Sequence, residues 1–174
     1  MNMHEYILHL YRRIYLKRNV SDEVQIRAFE MLEDKSYSAV ANCIIGMPDE
    51  TRDLIFDTIR FVRKLPKNID ATGAYVFAPY HGTELRDIAV KKGYIKNPDS
   101  ICDITRPEDS MLDQPQLPRK ELIGLASTFG LYQTLPKSKW KWVKKAEEDT
   151  EEAKKLRIDL LKDYRETTTS NSTG

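Results

Sequence analysis

The sequence predicts an α/β protein in which parallel strands alternate with helices. Two stretches have strand character, residues 37–45 and about 72–77, and a segment with helical periodicity separates them. A further helix precedes the first strand and another follows the second, so the middle of the chain has the order helix, strand, helix, strand, helix. Alternation of this kind produces parallel pairing through right-handed crossovers.

Each element carries its own local signals. Residues 37–45 contain no charged side chain and are rich in β-branched and small residues, which is typical of a buried strand. Ser21 is the predicted N-cap of the helix that precedes this strand. Thr83 predicts the N-cap of the helix after the second strand, and Gly93 its C-terminal end. The first 18 residues also have helical periodicity.

The alternation ends after Gly93. Residues 1–95 therefore form the predicted α/β unit, and residues 96–117, rich in proline and polar side chains, predict an irregular loop. Pro118 suits the first position of a helix, so residues 118–166 predict a helical extension and residues 167–174 a disordered tail. Sheets usually contain about four to six strands. We therefore expect this chain to be part of a larger fold.

Composition excludes several classes of partner. The 174 residues include 28 basic and 27 acidic side chains, a net charge of +1 that gives no overall attraction to nucleic acid or anionic membranes. No stretch approaches the ~20 apolar residues of a membrane span, and the N-terminus lacks the pattern of a secretory signal. The two cysteines do not have metal-site spacing, and reduced thiols are the better interpretation. We expect a cytoplasmic protein without nucleic-acid or membrane partners.

One segment, residues 137–145, interleaves lysines with Trp140 and Trp142. Such a pattern occurs in proteins that bind nucleic acid or membrane surfaces. However, the following residues are strongly acidic, so the local positive field is soon cancelled. The favoured alternative is a helix that packs one tryptophan against the core.

Two turns at predicted strand ends are candidates for a site, residues 42–51 and 77–85. Ligands of parallel α/β folds bind outside the carboxyl ends of the strands, and Gly46 would let a ligand approach the backbone closely. Tyr80 and His81 could donate hydrogen bonds or carry a proton there. The alternative is that both segments are ordinary turns built from glycine, proline and capping residues. Neither contains a phosphate-binding glycine motif.

Over about residues 12–95 the chain resembles the C-terminal half of a radical SAM core, most closely the subgroup in which a cobalamin-binding domain precedes that core. A K-R-x-x-S-D/N-E stretch is matched by Lys17, Arg18, Ser21, Asp22 and Glu23. The I-G-x-P-x-E-T turn after the fifth strand is matched by Ile45, Gly46, Pro48, Glu50 and Thr51. The P-Y-x-G-T-x-L turn after the sixth strand is matched by Pro79, Tyr80, Gly82, Thr83 and Leu85.

The resemblance implies the C-terminal half of a partial (β/α)6 TIM-like barrel with a helical C-terminal extension. Family members bind S-adenosylmethionine and a [4Fe–4S] cluster at the carboxyl ends of the barrel strands. The motifs assign the adenosine pocket to seven residues: Asn42, Ile44, Gly46, Phe77, Ala78, Pro79 and Tyr80. Asn42 replaces a family glycine, and Asp49 stands where the family has glutamate.

This chain departs from the family at the cluster. The C-x-x-x-C-x-x-C motif is absent, since Cys43 lies on a strand and Cys102 in a loop. The motif that grips the methionyl group and the first four strands are missing as well. The simplest interpretation is a truncated or incomplete product that needs a missing N-terminal half-barrel and is not expected to be active by itself. No metal ligand and no catalytic residue is assigned.

The resulting expectation is a fragment of a radical SAM enzyme. The parent would cleave S-adenosylmethionine reductively and modify, or transfer a methyl group to, a small organic substrate, with cobalamin as a possible second cofactor. One alternative is a non-catalytic half-barrel scaffold. Another is a small flavodoxin-like module that binds phosphate at the helix start near Thr51, although the acidic Asp49 and Glu50 disfavour an anion there.

Overall fold

The computed structural model describes residues 13–32, 39–71, 73–101 and 110–170. Its helices are α1 (Asp22–Glu30), α2 (Arg52–Val62), α3 (Glu84–Lys91), α4 (Arg119–Thr134), α5 (Trp140–Lys145) and α6 (Glu151–Ser170). Its strands are β1 (Ala39–Val40), β2 (Cys43–Ile45), β3 (Ile69–Asp70) and β4 (Ala74–Val76). Most of the predicted N-terminal helix lies outside the described residues, as does Cys102.

The strands form two parallel pairs in succession, β1 with β3 and β2 with β4. The first strand segment, β1 and β2, lies beside the second, β3 and β4, and Val40 stands opposite Asp70 while Cys43 stands opposite Ala74. Helix α2 connects the two segments, which confirms the predicted parallel pairing around a helical crossover. The second segment begins at Ile69 rather than at about residue 72, because Ile69 already pairs with Ala39 of β1.

The predicted helix starts are confirmed. The hydroxyl groups of Ser21, Thr51 and Thr83 each accept a hydrogen bond from the amide three residues later, at 3.3, 3.4 and 3.4 Å. These bonds satisfy amides that have no partner within the first helical turn. Gly93 ends α3 with φ +73°, the left-handed conformation that glycine adopts without strain.

The core lies on one face of the strands. Cys43, Ile45 and Val76 are buried there, and helices α2 and α4 cover them. The predicted helical extension is thus not peripheral, because α4 packs directly on β4. The buried side chains that join the strands to these helices are Ile55, Ile59, Val62, Leu122, Leu125 and Phe129.

The opposite face of the strands is open. Ile44 and Tyr75, which stand opposite each other in β2 and β4, are each 51% exposed. The prediction of a fully buried strand is therefore wrong for this face. No layer formed by the described residues covers it, and these residues build no closed barrel.

The C-terminal helices confirm the interpretation that one tryptophan packs on the core. The ring centroid of Trp140 lies 5.4 Å from the ring centroid of Phe56 and 5.3 Å from that of Tyr132. Trp142 is exposed instead, with the ammonium groups of Lys141 and Lys145 at 5.3 and 4.8 Å from its ring.

Helix α6 continues to Ser170, past residue 167 where a disordered tail was expected. Each residue that extends an existing helix adds one backbone hydrogen bond. This gain explains why the threonine-rich end is part of the helix. The expected division into four segments otherwise stays a prediction. Across the described part of the chain, no helix combines the length and apolar character needed to cross a membrane.

Candidate functional site

A cavity of about 550 Å³ lies beside strands β1 and β2. The residues before α1, α1 itself, β1, β2 and α2 contribute its walls. Most of the lining is apolar and includes Leu16, Phe29, Ile44, Phe61, Phe77 and Leu85. The polar lining residues are Arg18, Gln25, Asn42, Glu50 and Thr58. Its size falls within the ~300–1,000 Å³ that is usual for small-molecule sites.

The cavity follows an edge of the sheet rather than one face. Residues 40–44 all line it, although neighbouring residues of a strand point to opposite faces. Ala41 donates its amide to Asp70, and Ile45 accepts from the amide of Phe77. In a parallel ladder every second residue of a strand bonds the same neighbouring strand, so residues 41, 43 and 45 face β3 and β4. The backbone groups of Asn42 and Ile44 therefore point to the opposite edge of the sheet. That edge pairs with no strand of the described residues.

Three of the seven predicted site residues line this cavity together: Asn42, Ile44 and Phe77. The other four do not line it: Gly46, Ala78, Pro79 and Tyr80. Pro79 is buried, and its carbonyl accepts a hydrogen bond from Arg86 at 2.6 Å. Tyr80 is exposed. The turn after β4 thus contributes its first residue to the cavity, and the remainder serves to connect β4 with α3.

Gly46 has a packing role that sequence reasoning did not identify. Its φ is +83°, and a Cβ atom at this position would lie 2.4 Å from Cδ2 of Leu122. The close approach that a glycine permits here is therefore made by α4. Gly46 therefore allows the strand end and that helix to pack at close distance.

The second candidate turn presents an exposed histidine. Nε2 of His81 lies 3.2 Å from the carbonyl oxygen of Ser100. The same carbonyl accepts a hydrogen bond from Arg86. His81 does not line the cavity, so the contact supports the interpretation of an ordinary turn residue.

Asp49, at the acidic position of the motif, is held by the chain itself. Its carboxylate accepts hydrogen bonds from Tyr15 at 2.5 Å, from Tyr94 at 2.8 Å and from Lys92. Burial alone would raise the pKa of Asp49, but these three bonds hold it below the usual value. The backbone amide of Asp49 donates to Gln114 at 3.0 Å. Asp49 therefore connects the segment before α1 to the residues after α3.

Glu50 is the functional candidate that sequence reasoning missed. It is 3% exposed and lines the cavity. Its Oε2 atom accepts hydrogen bonds from the amides of Gly46 and of Met47, the latter at 3.1 Å. Burial raises the pKa of Glu50 to about 7, although the two amide bonds act in the opposite direction. The sequence signal that could have identified Glu50 is its match to the glutamate of the I-G-x-P-x-E-T turn, directly before the N-cap residue Thr51.

We expect Glu50→Gln to change how stability depends on pH. The pKa of Glu50 is about 7 in the folded state against an ordinary 4.5, so the folded state binds more protons between these values. The stability that the protonated carboxyl contributes is therefore complete below pH 4.5 and is lost as the pH rises to about 7. Relative to the variant, the wild type should lose about 3 kcal/mol of unfolding free energy over this range.

Urea denaturation at pH 4.5, 6 and 8 measures this difference. The glutamine side chain of the variant keeps an oxygen that can accept from the two amides, so the variant should fold. Glu30→Gln, at an exposed position in α1, is the control for the loss of one carboxylate and should not reproduce the change seen with Glu50→Gln. A constant difference between wild type and Glu50→Gln at all three pH values would contradict the raised pKa.

The described residues offer no site for the iron–sulfur cluster. No group of three or more His, Cys, Asp or Glu side chains among them is placed to hold a metal ion. Cys43 lines the cavity as one thiol, and Cys102 lies outside the described part of the chain. Since such clusters usually take three or four thiolates from the protein, the cluster does not fit this chain.

Comparison with known proteins relates part of the chain to a methyltransferase. It is 32% identical over 76 residues to an uncharacterized methyltransferase of Pyrococcus horikoshii. The match covers 44% of this chain but only 16% of the relative. No family model and no solved structure matches the chain. The comparisons therefore support a distant relation to a protein described as a methyltransferase.

Proposed function

We propose that this chain is the C-terminal half of the core of a radical SAM enzyme that transfers methyl groups, and that its cavity binds the adenosine part of S-adenosylmethionine. The motifs at the two strand ends and the name of the Pyrococcus relative support this proposal. The observation that carries it is geometric. Ile44 and Phe77 were assigned to the adenosine pocket from two different motifs. The parallel pairing of β2 with β4 brings both residues into one cavity.

The cavity suits a flat, neutral ring. Ile44 and Phe77 supply apolar surface, which such a ring covers favourably. The backbone groups of Asn42 and Ile44 at the unpaired edge can bond the polar rim of the ring. When bound, S-adenosylmethionine supplies the activated methyl group and the source of the adenosyl radical. The chain's own part is to bind and orient the nucleoside and to exclude water from it.

The cluster and the remaining strands would come from the N-terminal half of the barrel. In the parent enzyme, the open face with Ile44 and Tyr75 would face the barrel interior. Cobalamin and the small-molecule substrate of the parent enzyme likewise belong to parts of the protein outside the residues assigned here.

Equilibrium dialysis with labelled S-adenosylmethionine tests the proposal. The wild-type chain should bind it, and Ile44→Lys should bind at least about tenfold more weakly, because the ammonium group would be buried against the ring without a partner. Ile158→Lys is the matched control, since Ile158 is 54% exposed on α6 and does not line the cavity. It should bind as the wild type does.

Equal binding by Ile44→Lys and the wild type would place the nucleoside elsewhere. Absence of binding by the wild type would contradict the proposal and favour the non-catalytic scaffold. Thermal unfolding of each variant, followed by circular dichroism, shows whether a loss of binding reflects a loss of structure. Ile44 is half exposed, so its replacement should leave the fold intact.

A further inference from the structure

Glu50 presents to the cavity one carboxylate oxygen that no described residue bonds. We propose that Glu50 is a ligand-binding residue, and that its Oε1 atom accepts a hydrogen bond from an amine on the flat ring of the bound ligand. This inference rests on the proposed function, in which that group is the exocyclic amine of adenine. It assigns to Glu50 a role in base selection that neither motif assigns.

The carboxylate of Glu50 is held in one orientation. Both of its hydrogen bonds, from the amides of Gly46 and Met47, end on Oε2. Gly46 is itself fixed by Leu122, and the carbonyl of Met47 accepts from Gln114 at 3.1 Å. The position of Oε1 is therefore set before a ligand arrives, which lowers the entropic cost of binding.

The Oε1 atom of Glu50 is bonded by no donor of the described residues, although the residue as a whole is only 3% exposed. Oε1 is not one of the fully buried side-chain atoms that lack a partner, so it is accessible from the cavity. A ligand that displaces water from this oxygen without offering a donor would leave the acceptor unsatisfied, which is costly, more so when the acceptor is charged. A donor on a ligand in the cavity removes that cost, whereas a ligand acceptor at the same place would increase it.

Few charged groups lie around Glu50. Within the described part of the chain, Arg18 is the other charged side chain that lines the cavity; it is exposed and forms no ion pair with Glu50. The Cys43 thiol on β2 also lines the cavity. The neighbouring Asp49 is bonded by Lys92 and two tyrosines. The other polar lining residues of the cavity are uncharged, so the carboxylate is the dominant acceptor for a ring placed beside Ile44.

Three nucleosides distinguish this role from a structural one. Adenosine has an exocyclic amine, purine riboside has hydrogen at the same carbon, and inosine has an oxo group there. At pH 8, where Glu50 is largely ionised, the wild type should bind adenosine at least about tenfold more tightly than purine riboside. It should bind inosine most weakly, because two acceptors would face each other.

Glu50→Gln should reverse the preference. The amide oxygen of the variant can keep the bonds to Gly46 and Met47, which places the NH2 group where Oε1 was. The cavity then presents a donor, so inosine should bind more tightly than adenosine. Glu30→Gln is the control and should keep the wild-type order. In the wild type, lowering the pH from 8 to 6 should reduce the preference for adenosine several-fold, because a protonated Oε1 is also a donor.

The outcomes separate this inference from the proposed function. If Glu50→Gln weakens all three nucleosides equally, or if the wild type does not distinguish adenosine from inosine, Glu50 only shapes the turn and the inference is wrong, while nucleoside binding still stands. If the wild type binds none of the three, both proposals are wrong. Should the variant fail to fold, the pH series on the wild type decides: an unchanged preference between pH 8 and 6 overturns the inference.

Discussion

Replacement of Gly46 by alanine should lower the free energy of unfolding by about 3 kcal/mol. The backbone at this position has φ +83°, and a residue with a Cβ atom is strained there by roughly 1–2 kcal/mol. The new methyl group would also overlap Leu122, since its Cβ would lie 2.4 Å from Cδ2. Overpacking of a filled core typically adds about 1–3 kcal/mol. Chemical denaturation measures the sum.

Two further variants separate the backbone cost from the overlap. Gly82 has nearly the same φ, +79°, with no atom within 4 Å of a built Cβ, so Gly82→Ala should show the backbone cost alone. Combining Gly46→Ala with Leu122→Ala should cost less than the sum of the single changes, because each makes room for the other. If Gly46→Ala and Gly82→Ala cost the same, Leu122 does not set the strand-to-helix distance.

Replacement of Glu147 by alanine should have an effect of similar size, about 3 kcal/mol. Glu147 is buried two residues after the end of α5 and accepts hydrogen bonds from Arg52 at 2.6 and 2.9 Å, from Lys144 at 2.8 Å and from Tyr132 at 2.5 Å. Burial raises the pKa of Tyr132, and the bond to Glu147 raises it further. Without Glu147, the partly buried Arg52 would keep, among the described residues, only Glu121 as an ion-pair partner.

Glu148→Ala is the matched control, because Glu148 is an exposed neighbour in the same turn. Its effect should stay within about 0.5 kcal/mol. Spectrophotometric titration supplies an independent readout. Loss of Glu147 should lower the pKa of Tyr132, whereas Glu148→Ala should not change it. Equal costs for the two variants would show that the C-terminal helices are not held to α2 through this cluster.

The features of the fold that could be predicted from the sequence depend on residues close to one another along the chain. Ser21 and Thr83 each need only the amide three residues away, and Gly93 needs only its own backbone freedom. Parallel pairing followed from the alternation of strand and helix, which is a local pattern as well. The same holds for the prediction that one tryptophan of residues 137–145 packs on the core, which was inferred from the acidic residues that follow this basic segment.

The parts that were not predicted depend on distant partners. Gly46 is explained by Leu122 in α4, a contact between residues far apart in the chain. Ile44 and Tyr75 are exposed because none of the described residues forms a layer over them, and an apolar strand sequence does not reveal whether such a layer is present. Glu50 could be matched to a motif, but its burial and its unbonded oxygen follow from the turn geometry. Three of seven predicted site residues consequently share the cavity.

The most direct test of the central proposal is amide chemical-shift mapping of the wild-type chain. Labelled protein would be titrated with S-adenosylhomocysteine, which carries the same adenosine and is chemically stable. We expect the largest saturable shifts at Asn42, Ile44 and Phe77, which line the cavity, with no comparable change in α5 or α6. Shifts confined to the C-terminal helices, or none up to millimolar ligand, would contradict the assignment of an adenosine site to the ends of these two strands.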